Sequence, residues 1–195
     1  MEDKKMRISV VIPAYNEQRL IGQCLDALST QTRPVDEIIV VDNNSTDETA
    51  GIAKTYDNVT VISETKQGIM YARTAGFNYA KGDVLARIDV DSIVSPSWAA
   101  EIEKVFSDPS VDAAAGDAAV AELSPRGKFW WRWTYRIARR YHQRSMQISP
   151  LMFGFNNAMR KSAWDAIKSD LSENSSTIQE DLEITICLLK SGRTI

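Results

Sequence analysis

The first half of the chain alternates between short apolar runs and stretches of helical spacing. Arg7 to Ile12 (RISVVI) is rich in β-branched residues and predicts a buried strand. Leu20, Ile21, Cys24, Leu25 and Leu28 then recur at the helical period. Glu37 to Val41 predicts a second strand. Ser45 and Glu48 stand three apart, as in a capping box, and predict a helix reaching about Tyr56. Val59 to Ser63 is a third strand, and Ile69 to Ala80 a helix with Lys81-Gly82 at its C-cap. Val84 to Ile88 is a fourth strand, Pro96 to Phe106 a helix with proline in its first turn, and Ala113 to Ala121 a weak fifth strand. This order implies an α/β fold with a mostly parallel sheet covered on both faces.

The second half is less regular. Arg126 to Arg144 carries seven basic residues, no acidic ones and three of the chain's five tryptophans. A polar-aromatic turn, Phe153 to Asn157, and a short helix at Lys161 to Lys168 follow. A Ser/Asn-rich loop, Ser169 to Thr177, leads to a final amphipathic helix at Glu180 to Leu189. There is no internal repeat and no low-complexity linker.

Composition narrows the picture. At 195 residues, 44% hydrophobic, the chain supports one core and one domain. A net charge of -3 argues against nucleic-acid binding. No apolar run approaches the ~20 residues of a membrane span, and the start lacks a signal-peptide core. A cytoplasmic protein is the expectation. Cys24 and Cys187 are too few for a disulfide framework and read as buried thiols. His142 is the only histidine and has no visible partner, and no Cys/His cluster suggests zinc.

Candidate chemistry gathers where apolar strands end, the side on which such sheets bind ligands. Asp89 and Asp91 leave the fourth strand one residue apart and point to the same side. Two such carboxylates repel each other unless they share a cation. They suit Mg2+ or Mn2+ bridging to a substrate's phosphates, although D-x-D alone also fits an aspartate pair capping the next helix. Asp42, ending the second strand, could accept from a ribose hydroxyl or a base N–H, or be a plain turn aspartate. Arg73 and the Lys66-Gln67-Gly68 turn offer phosphate contacts or, as readily, an ordinary solvated surface. Glu180-Asp181 offers a general base or a dipole-favoured helix start. Neither a P-loop nor G-x-G-x-x-G is present, which argues against a nicotinamide dehydrogenase.

In order along the chain, Val11 to Glu17, Val40 to Asp47, Gly68 to Gly76, Asp89-Val90-Asp91, Gly154 to Arg160 and Glu180-Asp181 resemble glycosyltransferase family 2. Its members are inverting enzymes of the GT-A fold, a Rossmann-type α/β/α sandwich, that use sugar nucleotides. The resemblance covers roughly Ile8 to Leu189. It implies a nucleotide-binding half over 1–110 and an acceptor-binding half over 111–195. It also implies that Pro13, Tyr15 and Glu17 line the nucleoside pocket, with Asp42 accepting from the base, usually uracil. Gly68 and Arg73 would lie near the ribose and diphosphate, Asp89 near the ribose or sugar, and Asp91 on Mg2+ or Mn2+. Asn156 and Asn157 would border sugar and acceptor. Asp181 would be the catalytic base, with Glu180 beside it.

The family's usual Asp-Asp-Gly-Ser or Asp-Asn-Gly-Ser loop is here Asp42-Asn43-Asn44-Ser45, and its Ala-Arg-Asn is Ala72-Arg73-Thr74. The chain ends 14 residues after Asp181 without the Gln-x-x-Arg-Trp motif of many relatives, so its acceptor side is either minimal or incomplete. The expected partners are a nucleoside-diphosphate sugar and a glycan or polyprenyl-linked acceptor, in cell-wall or polysaccharide synthesis. The basic aromatic run fits peripheral contact with the inner face of a membrane, or a helix packing its rings on the sheet. Two rivals stand beside this reading. Asp89 to Val94 partly resembles the D-x-D-x-[TV] signature of haloacid-dehalogenase-like phosphatases, normally on a first strand. A non-catalytic sugar-nucleotide-binding fragment is the other.

Overall fold

A computed structural model describes residues 5–116, 156–171 and 180–195, with isolated positions between 124 and 137. The elements in order are β1 (Ile8–Ala14), α1 (Ile21–Ser29), β2 (Glu37–Asp42), α2 (Thr49–Ala53), β3 (Val59–Ser63) and α3 (Ile69–Tyr79). They continue with β4 (Val84–Ile88), α4 (Trp98–Phe106), β5 (Ala113–Ala115), β6 (Asn156–Arg160), α5 (Lys161–Ile167) and α6 (Glu180–Lys190).

The strands form one six-stranded sheet in the order β3-β2-β1-β4-β6-β5. β3, β2, β1 and β4 run parallel, and β6 is antiparallel to both β4 and β5. The expected mostly parallel α/β sheet is therefore what forms. The order reverses at β1: β2 and β3 extend to one side, β4 to the other. Such a switch point opens a crevice at the strands' carboxyl ends.

Period-2 alternation divides the core into two layers. Val10, Ile12, Ala86 and Ile88 pack with Leu25, Leu28 and Phe106 on one face. Val11, Val41, Leu85 and Met159 pack with Phe77, Trp164 and Ile184 on the other. There the Phe77 and Trp164 rings meet edge to face, centroids 5.1 Å apart, and Trp164 Nε1 donates to Asn78 Oδ1 at 3.0 Å. α3 lies close on the sheet because Gly76 has no side chain. A Cβ there would stand 2.3 Å from Val11 Cγ1.

Several local expectations change. β1 runs on to Ala14, so Pro13 pairs with Val41 and Ala14 with Asp42. Ser45 does not cap α2, which starts at Thr49 with no side-chain cap bond. Instead the polar residues after β2 bind the turn after β1. Ser45 Oγ accepts from the Asn16 N–H (3.0 Å), Asp47 from Gln18 (3.1 Å) and Thr49 Oγ1 from Glu17 (2.7 Å). Tertiary hydrogen bonds win over the local cap. α3 ends at Tyr79 with Ala80 extended, not at a glycine cap. Asn156 and Asn157, expected in a turn, open β6. β5 is described as Ala113–Ala115. Residues 117–121 of the expected strand, His142, Phe153 to Phe155 and most of Arg126–Arg144 lie outside the described residues. Among the described residues, no helix is long and apolar enough to cross a membrane.

Candidate active site

The switch point holds a cleft of about 450 Å³. Four chain segments line it: Pro13, Ala14, Tyr15 and Glu17 at and just past the end of β1, Asn43 after β2, Gln67 to Ile69 with Ala72 at the head of α3, and Arg87 with Asp89 to Asp91 at the end of β4. Residues as far apart in sequence as Pro13 and Asp91 thus meet because parallel strands deliver their carboxyl ends to one edge.

Each wall has a cause. Asn16 and Asn44 adopt positive φ (55° and 65°), so asparagine makes both sharp turns without glycine. Asn43 is 3% exposed and spends its whole amide on the opposite loop. Its Nδ2 donates to the Glu64 and Lys66 carbonyls (2.8 and 2.7 Å), and its Oδ1 accepts from the Gly68 N–H (2.7 Å). Gly68, at φ 140°, holds a conformation L side chains rarely adopt. Tyr15 is half exposed at the cleft's edge, an accessible aromatic face beside a space of nucleoside size.

Of the residues singled out in the sequence, Pro13, Tyr15, Glu17, Gly68, Asp89 and Asp91 all line the cleft. Asp42, Arg73, Asn156, Asn157 and Asp181 are not among its lining residues. Asp42 ends β2, and its Oδ1 accepts from the Ser45 N–H at 3.2 Å, a turn bond. Its neighbour Asn43 reaches the cleft instead. Arg73 is 1% exposed, on the sheet side of α3 rather than a solvated face. Asn157 is 3% exposed on β6, in register with Arg87 of β4. Asn156 Oδ1 accepts from Trp98 Nε1 at 2.9 Å, which ties β6 to α4.

Sequence reasoning passed over Arg87. It lies within an apolar strand, is 2% exposed, and reaches the cleft. Its Nη2 donates to Asp89 Oδ1 at 3.1 Å, and its Nη1 stands 3.7 Å from Asp181 Oδ1. The available signal was a lone arginine two residues before Asp89, hence on the same strand face. Through Arg87, Asp181 joins the β4 edge of the cleft. Glu180 begins α6, and its side chain is outside the described residues.

The donor set fits a hard divalent cation shared with a ligand. Asp89 and Asp91 bring two carboxylates to the cleft, and among the described residues no third His, Cys, Asp or Glu completes a protein-only site. Mg2+ and Mn2+ sites commonly have this form, with phosphate and water filling the remaining positions. Beneath the pair lies Cys24, its Sγ 4.0 Å from the Asp89 carbonyl oxygen. Burial, with the negative charges of Asp91 and Asp89 added, pushes its thiol up to about 12. It is an inert core thiol. Cys187 is only half-buried, more accessible than expected.

Comparison with known proteins agrees with this architecture. In sequence, the chain is 37% identical over 117 residues to glycosyltransferase AglE of Haloferax volcanii, covering 56% of this chain and 38% of that protein. It is 41% identical over 97 residues to the poly(ribitol-phosphate) beta-glucosyltransferase of Bacillus spizizenii, covering 46% and 15%. The chain therefore spans well under half of these relatives' length. In structure, it resembles the mannosyltransferase PcManGT of Pyrobaculum calidifontis, solved with GDP-Man and Mn2+. That match has a TM-score of 0.74 at 24% identity and covers 99% of this chain and 55% of that one. Glucosyl-3-phosphoglycerate synthase of Mycobacterium tuberculosis, solved with Mn2+, UDP and phosphoglyceric acid, matches with TM-score 0.62 at 22% identity, covering 83% and 58%. The family model for glycosyl transferase family 2 matches residues 9–167, most of the described sheet and its cleft. With a GT-A type sheet, a cleft at its switch point and that match, the chain belongs to glycosyltransferase family 2.

Proposed function

We propose that this chain carries the donor site of a metal-dependent, inverting glycosyltransferase. It would move a sugar from a nucleoside-diphosphate sugar, UDP-linked in the favoured reading, to a glycan or lipid-linked hydroxyl. The observation that carries this is one cleft uniting Pro13 to Glu17, Gly68 and the Asp89/Asp91 pair. Residues 1–110 supply these donor-side groups, and 111–195 the acceptor side. Solved proteins of the same fold hold GDP-Man with Mn2+, or UDP with Mn2+, which supports a nucleotide-sugar donor and a divalent ion.

In this reading Pro13, Tyr15 and Glu17 line the nucleoside pocket, and the Asn43-anchored Gly68 loop lies against the ribose and diphosphate. Asp89 and Asp91 would hold Mg2+ or Mn2+, which when bound would neutralise charge on the departing diphosphate. Asp181 removes the proton from the acceptor hydroxyl, whose oxygen attacks the anomeric carbon opposite the leaving group and inverts it. Arg73 and Asn157, both buried, support α3 and β6 rather than touch the donor. A phosphatase reading with Asp89 as nucleophile leaves the β1 and β2 walls without a purpose, and Asp89 follows a fourth strand rather than a first.

A lipid-linked acceptor at a membrane surface is the finer part of the proposal. Trp130, Trp133 and Ile137 are 59%, 52% and 47% exposed, at helical spacing within the basic run Arg126–Arg144. Exposed tryptophans among arginines suit a headgroup interface. The activity is tested by release of UDP or GDP from a panel of nucleotide sugars with Mn2+. Nucleotide release that falls in Asp181→Asn supports the assignment, while release of phosphate from simple phosphoesters instead would overturn it.

A further inference from the structure

The transferase reading leaves Arg87 without a role of its own. It is the one charged residue of Val84–Ile88, in a strand otherwise given to the core. Burying a guanidinium is costly unless carboxylates recover the loss. Alternation along β4 turns Leu85 and Arg87 to the face covered by α5 and α6, beside Asn157. From there one planar group spans two carboxylates that are 92 residues apart in sequence. Asp89 Oδ1 lies 3.1 Å from Nη2, and Asp181 Oδ1 lies 3.7 Å from Nη1. Asp89 belongs to the donor wall. Asp181, at the start of α6, is 27% exposed and is otherwise carried by a separate element.

We infer that Arg87 is a positioning residue that holds Asp181 against the β4 edge of the cleft. The inference rests on the transferase reading and adds a coupling within the same site: the base on the acceptor side and the carboxylate on the diphosphate side share one rigid fork. Asp89 has a second anchor, since its carbonyl accepts from the Ser92 N–H at 3.0 Å and it directly follows β4. A lysine keeps the charge but not the two-pronged plane, so it cannot span both oxygens.

The test is a double-mutant cycle on the full chain with Arg87→Gln, Arg87→Lys, Asp181→Asn and Arg87→Gln/Asp181→Asn. Turnover is read as nucleotide release from UDP-glucose and GDP-mannose with Mn2+. Misplacing a reacting group by about 1 Å costs on the order of 100-fold. Arg87→Gln is expected to lose kcat by about that factor, with donor KM moving less than about threefold. The double variant is expected to be no slower than Asp181→Asn alone. Arg87→Lys loses kcat in the same direction and serves in place of Arg87→Gln should that variant not fold. A second readout needs no activity: urea unfolding of the metal-free variants, where the two single losses are expected to be non-additive. A rise in donor KM at unchanged kcat would make Arg87 a donor contact and overturn the inference, as would additive losses in both cycles. A wild type that releases and binds no nucleotide sinks the transferase reading, and is told apart because the urea cycle still reports the Arg87–Asp181 coupling.

Discussion

The Asn43 side chain holds the Gly68 amide at 2.7 Å, joining the loop after β2 to the loop before α3 across the floor of the cleft. With its bonds to the Glu64 and Lys66 carbonyls, this buried amide sets the shape of one cleft wall. Replacing it by alanine removes three hydrogen bonds to part-buried or exposed loop groups, each worth about 0.5–1.5 kcal/mol net. Asn43→Ala is expected to lower the urea midpoint and weaken UDP–Mn2+ binding by about 10-fold or more. Calorimetry on the folded variant checks the second effect separately from the first.

Gly76 tests the packing of α3. A methyl group there collides with Val11 Cγ1 and comes within 2.9 Å of Val41 Cγ2, both in the buried layer. Helix propensity alone favours alanine, but overpacking of this kind costs about 1–3 kcal/mol. Gly76→Ala is expected to be less stable than wild type in urea, against its helix propensity.

Away from the cleft, Arg33 ties the sheet's opposite end. It is 8% exposed and donates to Asp36 at 2.6 Å and Glu103 at 3.0 Å. Burial of Asp36 opposes its ionisation, but the Ile8 N–H and Arg33 outweigh it and hold its carboxyl below the usual value. A depressed carboxyl contributes stability above its unfolded value, near pH 3.9, and loses it as pH falls through the lower folded value. Asp36→Asn is therefore expected to be destabilised at pH 7. The gap from wild type should narrow steadily as urea titrations move below about pH 4.

The two thiols separate by accessibility. With its thiol at about 12, Cys24 is about one part in ten thousand ionised at pH 8 and is buried. Iodoacetamide at pH 8 is expected to label Cys187 first and Cys24 only on unfolding, as peptide mass mapping reads directly. Early Cys24 labelling in folded protein would contradict the packing of α1 beneath the aspartate pair.

The parallel strands were legible because each is a short β-branched run ending in polar residues. The same rule exposed the cleft's walls at Pro13 to Glu17 and Asp89 to Asp91. What escaped depends on partners distant in sequence. Ser45 looks like a cap until the Asn16 amide arrives from the turn after β1. Asn43 looks like loop filler beside Asp42 until Gly68 is set opposite it. Arg87 reads as an interruption in a strand, and only the start of α6 gives it Asp181. β6 was missed because its asparagines suggest a turn, while the sheet buries Asn157 between Arg87 and Ala115.

The most direct measurement of the central claim is calorimetric titration of the folded chain with UDP and GDP, each with and without Mn2+, on wild type and Asp91→Ala. The account predicts binding of at least one nucleotide that strengthens with Mn2+ and loses that gain in Asp91→Ala. Absence of binding by either nucleotide, or binding indifferent to both Mn2+ and Asp91, would contradict a metal–diphosphate site at the end of β4.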